Sequence, residues 1–162
     1  MNFQIADLCD HHLNEIKIAA PIFQNFGGRT TFGGQIHTIK VYEDNVLIKE
    51  ALSHPGQGKV LVVDGGGSLR CALAGHQMIQ LAIDNNWEGL IIYGCLRNSA
   101  IIAQKKIGLK ALNTHPLRSM KRGRGDNNLP ISFAGVTFFP EHYVYADADG
   151  IIVTPKPLIN GK

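Results

Sequence analysis

The stretch from Lys59 to Asp64 reads Lys-Val-Leu-Val-Val-Asp, and its four consecutive apolar residues fit a strand that is buried on both faces. Three glycines, Gly65 to Gly67, follow at once, and from Leu69 to about Asn85 apolar residues recur at helical spacing. Leu90 to Tyr93 then fits a second buried strand. This order of segments predicts a central βαβ unit with a right-handed crossover.

The segments that flank this unit are predicted to be mostly strands. Gln35 to Tyr42 has strand patterning, and Asp44 is a candidate N-cap for a short helix from Asn45 to about Leu52. Another short helix is expected from Ser99 to Lys105. Gly and Pro punctuate four further short strands, at residues 131–133, 136–138, 143–146 and 151–154. We therefore expect one α/β domain over residues 1–162, with antiparallel strands around the βαβ centre.

The bulk properties of the chain limit its class. Its 162 residues suit one domain, and 44% hydrophobic with 18% charged residues is ordinary for a globular protein. Met1 to Asp10 carries two aspartates and no basic segment, so we expect neither a signal peptide nor a transit sequence. The apolar runs are too short to span a bilayer. We expect a cytosolic protein that does not enter a membrane.

The cysteines, Cys9, Cys71 and Cys95, are odd in number and have no CxxC spacing. This pattern favours neither a disulfide framework nor a zinc site. We expect these side chains to be small buried apolar groups.

Positive charge is concentrated in one part of the chain. The net charge is +3, and between Arg97 and Arg124 there are eight Lys or Arg residues and no Asp or Glu. Such a stretch fits contact with an acidic partner or RNA, or simply a solvated face. It has none of the interleaved aromatic residues of a surface that binds single strands, which favours the solvated face.

The glycine turn after Asp64 suggests a phosphate-cradling turn for a dinucleotide or S-adenosylmethionine. Two features oppose this. Arg70 stands where the GxGxxG pattern wants its third glycine, and no acidic residue follows the next strand at Tyr93 to hold a ribose. We therefore expect no nucleotide cofactor, and we interpret the glycines as a tight turn with positive φ.

Two further positions suit the binding of a small anion. Arg97 follows the strand that ends near Tyr93, and ligands of α/β sheets gather beyond the carboxyl ends of strands. An arginine there can clamp a carboxylate with two hydrogen bonds, or form an exposed ion pair. Gly75 to Met78 lies near the start of the predicted helix, where backbone N–H groups are free for an anion only if the helix begins late. His76 alone would be interpreted as a surface histidine.

The spacing from His76 to Arg97, with twenty intervening residues and Asn98 after it, matches a known family pattern. Other matching motifs cover nearly the whole chain. They are Asp7 to Asp10, Asn25 to Arg29, Phe32 to Gly34, Val62 to Arg70, Trp87 to Gly89, Tyr93-Gly94, Gly135 to Phe138 and Tyr145 to Gly150. On these motifs the chain resembles the family of the regulator of ribonuclease E activity A, which is homologous to class II 4-hydroxy-4-methyl-2-oxoglutarate aldolases.

The resemblance implies a compact swivelling-domain-like β/β/α sandwich that assembles as a homotrimer with clefts between subunits. In the aldolase branch, amides at positions matching Gly75, His76, Gln77 and Met78, together with the arginine matching Arg97, hold the carboxylate of a pyruvyl group. His76 and Arg97 are thereby the candidate catalytic residues.

The metal site is where this chain departs from the family. The residue matching Asn98 is normally an aspartate that ligates Mg²⁺ or Mn²⁺, and the residue matching His76 is normally Asp or Glu. A hard cation prefers charged oxygen ligands, so the resemblance implies a weakened metal site at Asn98. The expected cofactor is a divalent metal if the chain is active.

Two functions therefore compete. One is a metal-assisted lyase that cleaves a 2-oxo acid, such as 4-hydroxy-4-methyl-2-oxoglutarate or oxaloacetate, and releases pyruvate. The other is a non-catalytic regulator that binds ribonuclease E and modulates RNA turnover. The lost carboxylates favour the regulator. The basic cluster Arg118, Lys121, Arg122 and Arg124 opposes it, because capture of arginine-rich segments of ribonuclease E calls for an acidic surface.

Overall fold

The computed structural model describes residues 2–159. Its helices are α1 (Ile5–His12), α2 (Val46–Leu52), α3 (His76–Asp84) and α4 (Ser99–Ile102). The strands of the first half are β1 (Lys17–Ile18), β2 (Gln24–Asn25), β3 (Phe32–Lys40), β4 (Lys59–Asp64) and β5 (Ala72–Ala74). Those of the second half are β6 (Gly89–Leu96), β7 (Gly108–Thr114), β8 (Asp126–Asn127), β9 (Ile131–Phe133), β10 (Val136–Phe138), β11 (Tyr143–Ala146) and β12 (Ile151–Thr154). None of the helices within residues 2–159 is long and apolar enough to cross a membrane.

The main sheet is parallel at its centre and antiparallel towards its edges. Its strand order is β1-β12-β11-β3-β4-β6-β7-β2, with β5 beside β6 and β8 beside β3. The four strands β3, β4, β6 and β7 run parallel, so the carboxyl ends of β4 and β6 meet at one edge. The predicted α/β class is confirmed. The antiparallel strands expected around the βαβ centre lie farther out in the sheet, because β3 and β7 are parallel to their inner neighbours.

Apolar side chains cover both faces of the central strands. Leu61 of β4 packs with Ile79 of α3 in one layer, and Val62 packs with Phe138 of the β9–β10 hairpin in the other. All four side chains are fully buried. Burying a side chain of this size contributes about 1.5–3 kcal/mol relative to leaving it exposed. The burial on both faces predicted for Lys59 to Asp64 is confirmed, and it makes this strand a rigid base for the loops beyond it.

The segment after the glycine turn differs from prediction. Instead of one helix from Leu69 to Asn85, the chain forms β5 and then α3, which begins only at His76. Ala72 pairs with Cys95 and Ala74 with Leu96, so the first part of this segment is held against β6 as a strand. Small apolar residues satisfy either periodicity, and this strand pairing outweighs local helix propensity.

Smaller differences affect the element ends. α2 begins at Val46 with Asn45 at the N-cap position, although the Asp44 carboxylate still accepts the Val46 N–H at 3.1 Å. α4 is shorter than the predicted helix from Ser99 to Lys105. The four predicted strands near the C-terminus match β9 to β12 residue for residue. Cys71 and Cys95 are buried, as predicted, and Cys9 is partly buried.

Candidate functional site

The late start of α3 leaves backbone donors at its first turn. Gly75 is the N-cap residue, with φ −129° and ψ −173°, and no side chain caps the helix from that position. The His76 N–H donates to Oδ1 of Asn98 at 3.2 Å. The first N–H groups of a helix have no intrahelical partner, so those of Gln77 and Met78 remain for a ligand. Such a helix terminus is suited to a negative charge.

Arg97 and Asn98 reach this terminus from the end of β6. The Arg97 N–H donates to the carbonyl oxygen of Ala74 at 2.9 Å, and its Nη1 donates to that of Pro116 at 3.3 Å. Asn98 adopts the left-handed conformation, with φ 62° and ψ 38°, and is the N-cap residue of α4. The predicted arginine is thus held on both its backbone and its side chain, with other N–H groups left for a ligand.

Gly75 permits the close approach of these two segments. A Cβ placed on Gly75 would lie 2.7 Å from Oδ1 of Asn98 and 3.6 Å from Cγ of Arg97. The first distance is too short for an unstrained contact. The glycine therefore has a steric role here, since its φ is one that any residue can adopt.

All of the predicted site residues line one cavity of about 440 Å³. The residues that line it come from α2, β5, the start of α3, the end of β6 and the loop after β7. They are Asn45, Lys49, Ala72, Ala74, Gly75, His76, Gln77, Met78, Leu81, Arg97, Asn98, Arg118 and Lys121. A volume of this size suits a small organic ligand.

The lining carries four cationic side chains and no carboxylate. The loop that provides Arg118 is held by its backbone, because the Ala72 N–H donates to the carbonyl of Leu117 at 2.7 Å. Lys121 donates from Nζ to Oδ1 of Asn45 at 3.3 Å. Lys49 extends from α2. The geometry therefore produces a strongly positive pocket around the start of α3.

Sequence reasoning missed part of this lining. Lys49 and Asn45 lie in or beside a helix with nothing in their pattern to suggest a site. Arg118 and Lys121 were interpreted as a surface cluster in the basic stretch. The absence of acidic residues between Arg97 and Arg124 was the available signal, but it did not show which of the basic side chains face the pocket.

The donor set does not fit a hard divalent cation. Mg²⁺ and Mn²⁺ prefer several oxygen ligands, usually with carboxylate charge. Here Oδ1 of Asn98 already accepts the His76 N–H, and Oδ1 of Asn45 already accepts the Lys121 ammonium. Nδ1 of His76 is buried without a hydrogen-bond partner among residues 2–159, but it is a single nitrogen. Nowhere in that part of the chain do three or more His, Cys, Asp or Glu side chains group to hold a metal.

Acidic residues near the pocket have other partners. Oδ2 of Asp44 accepts the N–H groups of Arg122 and Arg124 at 2.9 and 3.2 Å, and Oδ1 accepts the Val46 N–H. Burial alone would raise the pKa of Asp44, but these backbone donors lower it below its ordinary value. Asp44 is therefore an ionised structural group that fixes the basic loop.

The glycine turn does not form a phosphate cradle. Gly66 and Gly67 have φ of 69° and 71°, as the tight-turn interpretation predicted. The turn leads into β5 rather than directly into a helix, so no helix terminus faces it. The rings of Tyr42 and Tyr93 also pack against Gly66 and Gly67. The turn is a packed structural element.

Comparisons with known proteins identify relatives that are similar over nearly the whole chain. The chain is 52% identical over 159 residues to an Aromatoleum aromaticum protein named "Putative 4-hydroxy-4-methyl-2-oxoglutarate aldolase", covering 98% of this chain and 100% of that protein. A Pseudomonas fluorescens protein of the same name is 56% identical over 152 residues, covering 94% and 93%.

Two solved structures share the fold over almost the whole chain. A Geobacillus kaustophilus protein described as an S-adenosylmethionine:2-dimethylmenaquinone methyltransferase superposes with a TM-score of 0.95 at 46% identity, covering 98% of this chain and 100% of that one. The RNA-processing inhibitor RraA from Thermus thermophilis gives 0.94 at 36% identity, covering 100% and 98%. The RraA-like family model, described as Aldolase/RraA, matches residues 5–153. With that match and these relatives, the chain belongs to the RraA-like family.

Proposed function

We propose that the pocket binds the carboxylate of a small 2-oxo acid, such as pyruvate, oxaloacetate or 4-hydroxy-4-methyl-2-oxoglutarate. One observation carries the proposal: Arg97 and the free amides of Gln77 and Met78 converge in a cavity that has no acidic side chain. The names of the relatives support it, since they describe aldolases that act on such an acid.

In this proposal Arg97 orients the ligand. Its side chain is anchored to the Pro116 carbonyl, so the guanidinium can offer two further N–H groups to a carboxylate at small entropic cost. The amides at the start of α3 hold a second edge of the same carboxylate. The 2-oxo group then lies beside the remaining cationic side chains of the pocket.

The associated reaction class is carbon–carbon lyase chemistry. Retro-aldol cleavage removes the proton of the 4-hydroxyl group and releases a carbonyl product, whereas decarboxylation releases CO₂. In both reactions the electron pair of the broken carbon–carbon bond remains in the enolate of pyruvate. That enolate then takes up a proton at C3. His76 is the candidate proton carrier, because its side chain lines the pocket and an imidazole nitrogen can donate or accept a proton. We expect slow turnover, since the charged oxygen ligands that a metal electron sink requires are missing from the lining.

Ligand binding with a matched control tests the proposal. We expect Arg97→Ala to weaken pyruvate or oxalate binding by about tenfold or more, because it removes a charge-assisted pair. The melting temperature should hardly change. Lys106→Ala removes one positive charge from an exposed position outside the pocket and should leave binding intact. Equal affinity in wild type and Arg97→Ala would remove Arg97 from the site. A pyruvate-release assay with and without Mg²⁺ or Mn²⁺ then measures the lyase activity.

A regulatory role is the second candidate. It is favoured by the lack of pocket carboxylates and by the similarity to the Thermus thermophilis inhibitor of RNA processing. In this alternative the chain binds ribonuclease E. The exposed basic side chains near Lys121 oppose it, because they would repel the arginine-rich segments of that enzyme. The test is the rate at which ribonuclease E cleaves a defined RNA with and without the protein. An unchanged rate at saturating protein would reject this role.

We further propose a cytosolic homotrimer in which residues 1–162 form one domain. Large apolar side chains are exposed at Tyr42, Leu117 and Met120, with 60%, 59% and 53% of their surfaces accessible. Such exposure favours an interface. Sedimentation should therefore show a trimer at micromolar concentration. A monomer would contradict the assembly.

A further inference from the structure

The pocket has a charge balance opposite to that of a metal site. Lys49, Arg97, Arg118 and Lys121 contribute four positive charges, and none of the lining side chains is acidic. The nearby carboxylate of Glu43 is held by the Arg70 guanidinium at 2.7 and 2.8 Å and by the Ser68 hydroxyl at 2.7 Å. A divalent cation entering this cavity would meet like charge without compensation.

The neutral oxygens of the pocket are also engaged. The amide oxygen of Asn98 accepts from the start of α3, and that of Asn45 accepts from Lys121. A metal would have to displace both donors to gain two uncharged ligands. These contacts leave both amide oxygens engaged with protein donors, and the second one also positions the Lys121 ammonium.

Resting on the proposed function, we propose that this pocket binds dianionic 2-oxo acids without a divalent metal, with Lys49, Arg118 and Lys121 supplying the positive charge. Arg97 and the amides of α3 hold the carboxylate next to the 2-oxo group. The other three cations face a second acidic group of the ligand. A cavity of about 440 Å³ accommodates a short dicarboxylate.

The positions of these cations support this role. The backbone of Arg118 pairs with that of Ala72, which lies in β5 directly before the start of α3. Lys121 is tethered to Asn45, and the Asn45 side chain in turn donates to the Leu73 carbonyl at 3.2 Å. Arg118 and Lys121 are therefore both tied to the same short strand. Their charge is available before the ligand arrives, which lowers the cost of binding.

Calorimetric titration of the full chain with oxalate tests the proposal directly. One titration contains EDTA and the other contains Mg²⁺, with a blank for complexation of Mg²⁺ by oxalate. We expect dissociation constants that agree within about threefold, and an affinity that falls as NaCl rises from about 0.05 M to about 0.5 M. Binding only with Mg²⁺, or tightening by more than about tenfold with it, would overturn metal-free binding while leaving the 2-oxo-acid pocket intact. Binding in neither buffer would reject the proposed function itself.

Neutralising Lys121 tests whether the second acidic group of the ligand binds at this side chain. In EDTA, Lys121→Gln should weaken 2-oxoglutarate, which has two carboxylates, by about tenfold, and pyruvate, which has one, much less. Lys106→Gln is the control for loss of one exposed charge. Equal losses for both acids, or no loss for either, would contradict a second anionic subsite at Lys121.

Discussion

Replacing Gly75 with alanine tests whether this residue serves the stability of the fold or the binding of the ligand. The added methyl group would meet Oδ1 of Asn98 at 2.7 Å and lie 3.6 Å from Cγ of Arg97. The backbone of Gly75 is extended, so alanine adds no backbone strain. The Asn98 side chain must rotate away, and its hydrogen bond with the His76 N–H is lost.

The expected effects on stability and on binding differ in size. Loss of one hydrogen bond costs about 0.5–1.5 kcal/mol of unfolding free energy. A Gly→Ala change also raises the unfolding free energy by about 0.4–1 kcal/mol, because it reduces the conformational entropy of the unfolded chain. The two nearly cancel, so the melting temperature should change by no more than about 2–4 °C. Ligand binding to the folded protein gains nothing from the unfolded chain. It is weakened because the methyl group occupies space beside the Arg97 guanidinium. A displaced charge-assisted hydrogen bond is worth about 1.5–3 kcal/mol, or about a 10- to 150-fold weaker Kd.

Thermal unfolding and oxalate titration of the same samples measure both quantities. Gly150→Ala is the matched control, since a Cβ there meets nothing within 4 Å. It should leave oxalate affinity unchanged. An unchanged Kd in Gly75→Ala would show that the ligand does not approach the start of α3. A large drop in melting temperature would show that Gly75 serves mainly the fold.

Three further variants, at the pocket, at His37 and at Glu43, have measurable expected outcomes. The double substitution His76→Asp with Asn98→Asp adds two carboxylates at the pocket. Mg²⁺-dependent pyruvate release should therefore rise, mainly through a higher kcat. A wild-type protein that already releases pyruvate as fast as the double variant would refute the weakened metal site. Burial lowers the pKa of His37 below 6.5, so its contribution to stability is complete above that pH and is lost as pH falls through the lowered pKa. His37→Gln should flatten this loss in urea unfolding between about pH 7 and about pH 5, and an unchanged slope would exclude His37 as its source. Hydrogen bonds from Arg70 hold the pKa of Glu43 at about 2 instead of 4.5, so its stabilisation is present above pH 4.5 and lost as pH falls towards 2. Glu43→Gln should make acid unfolding shallower in that window, and an identical acid profile would contradict the pairing.

Short strands with a clear apolar pattern were the most predictable part of the fold. β4 is a continuous apolar run that ends before a glycine, and β9 and β10 alternate apolar and hydroxyl side chains; these strands, β11 and β12 match their predicted bounds. Helix α1 was missed since its N-cap residue, Gln4, makes no side-chain cap, so the sequence carries no start signal. β7 was missed because Lys110 interrupts its apolar pattern. That lysine is nevertheless buried, and its burial lowers its pKa.

The site residues that belong to one sequence motif were predictable, whereas those that tertiary contacts bring to the pocket were not. The spacing between His76 and Arg97 identified two segments that the parallel pairing of β5 with β6 brings together. Lys49 reaches the pocket from α2 and Arg118 from the loop after β7, and neither has a local pattern that indicates this. Their placement depends on tertiary hydrogen bonds such as Ala72 to Leu117, which no periodicity encodes.

The left-handed backbone at Asn98 has an evolutionary consequence. Among residues with a Cβ, asparagine and aspartate adopt this conformation most readily. Either side chain presents an oxygen that can accept the His76 N–H. Selection can therefore exchange amide for carboxylate at this position with little penalty to the fold. Metal dependence could then be gained or lost across a lineage in few mutational steps while the surrounding architecture stays unchanged.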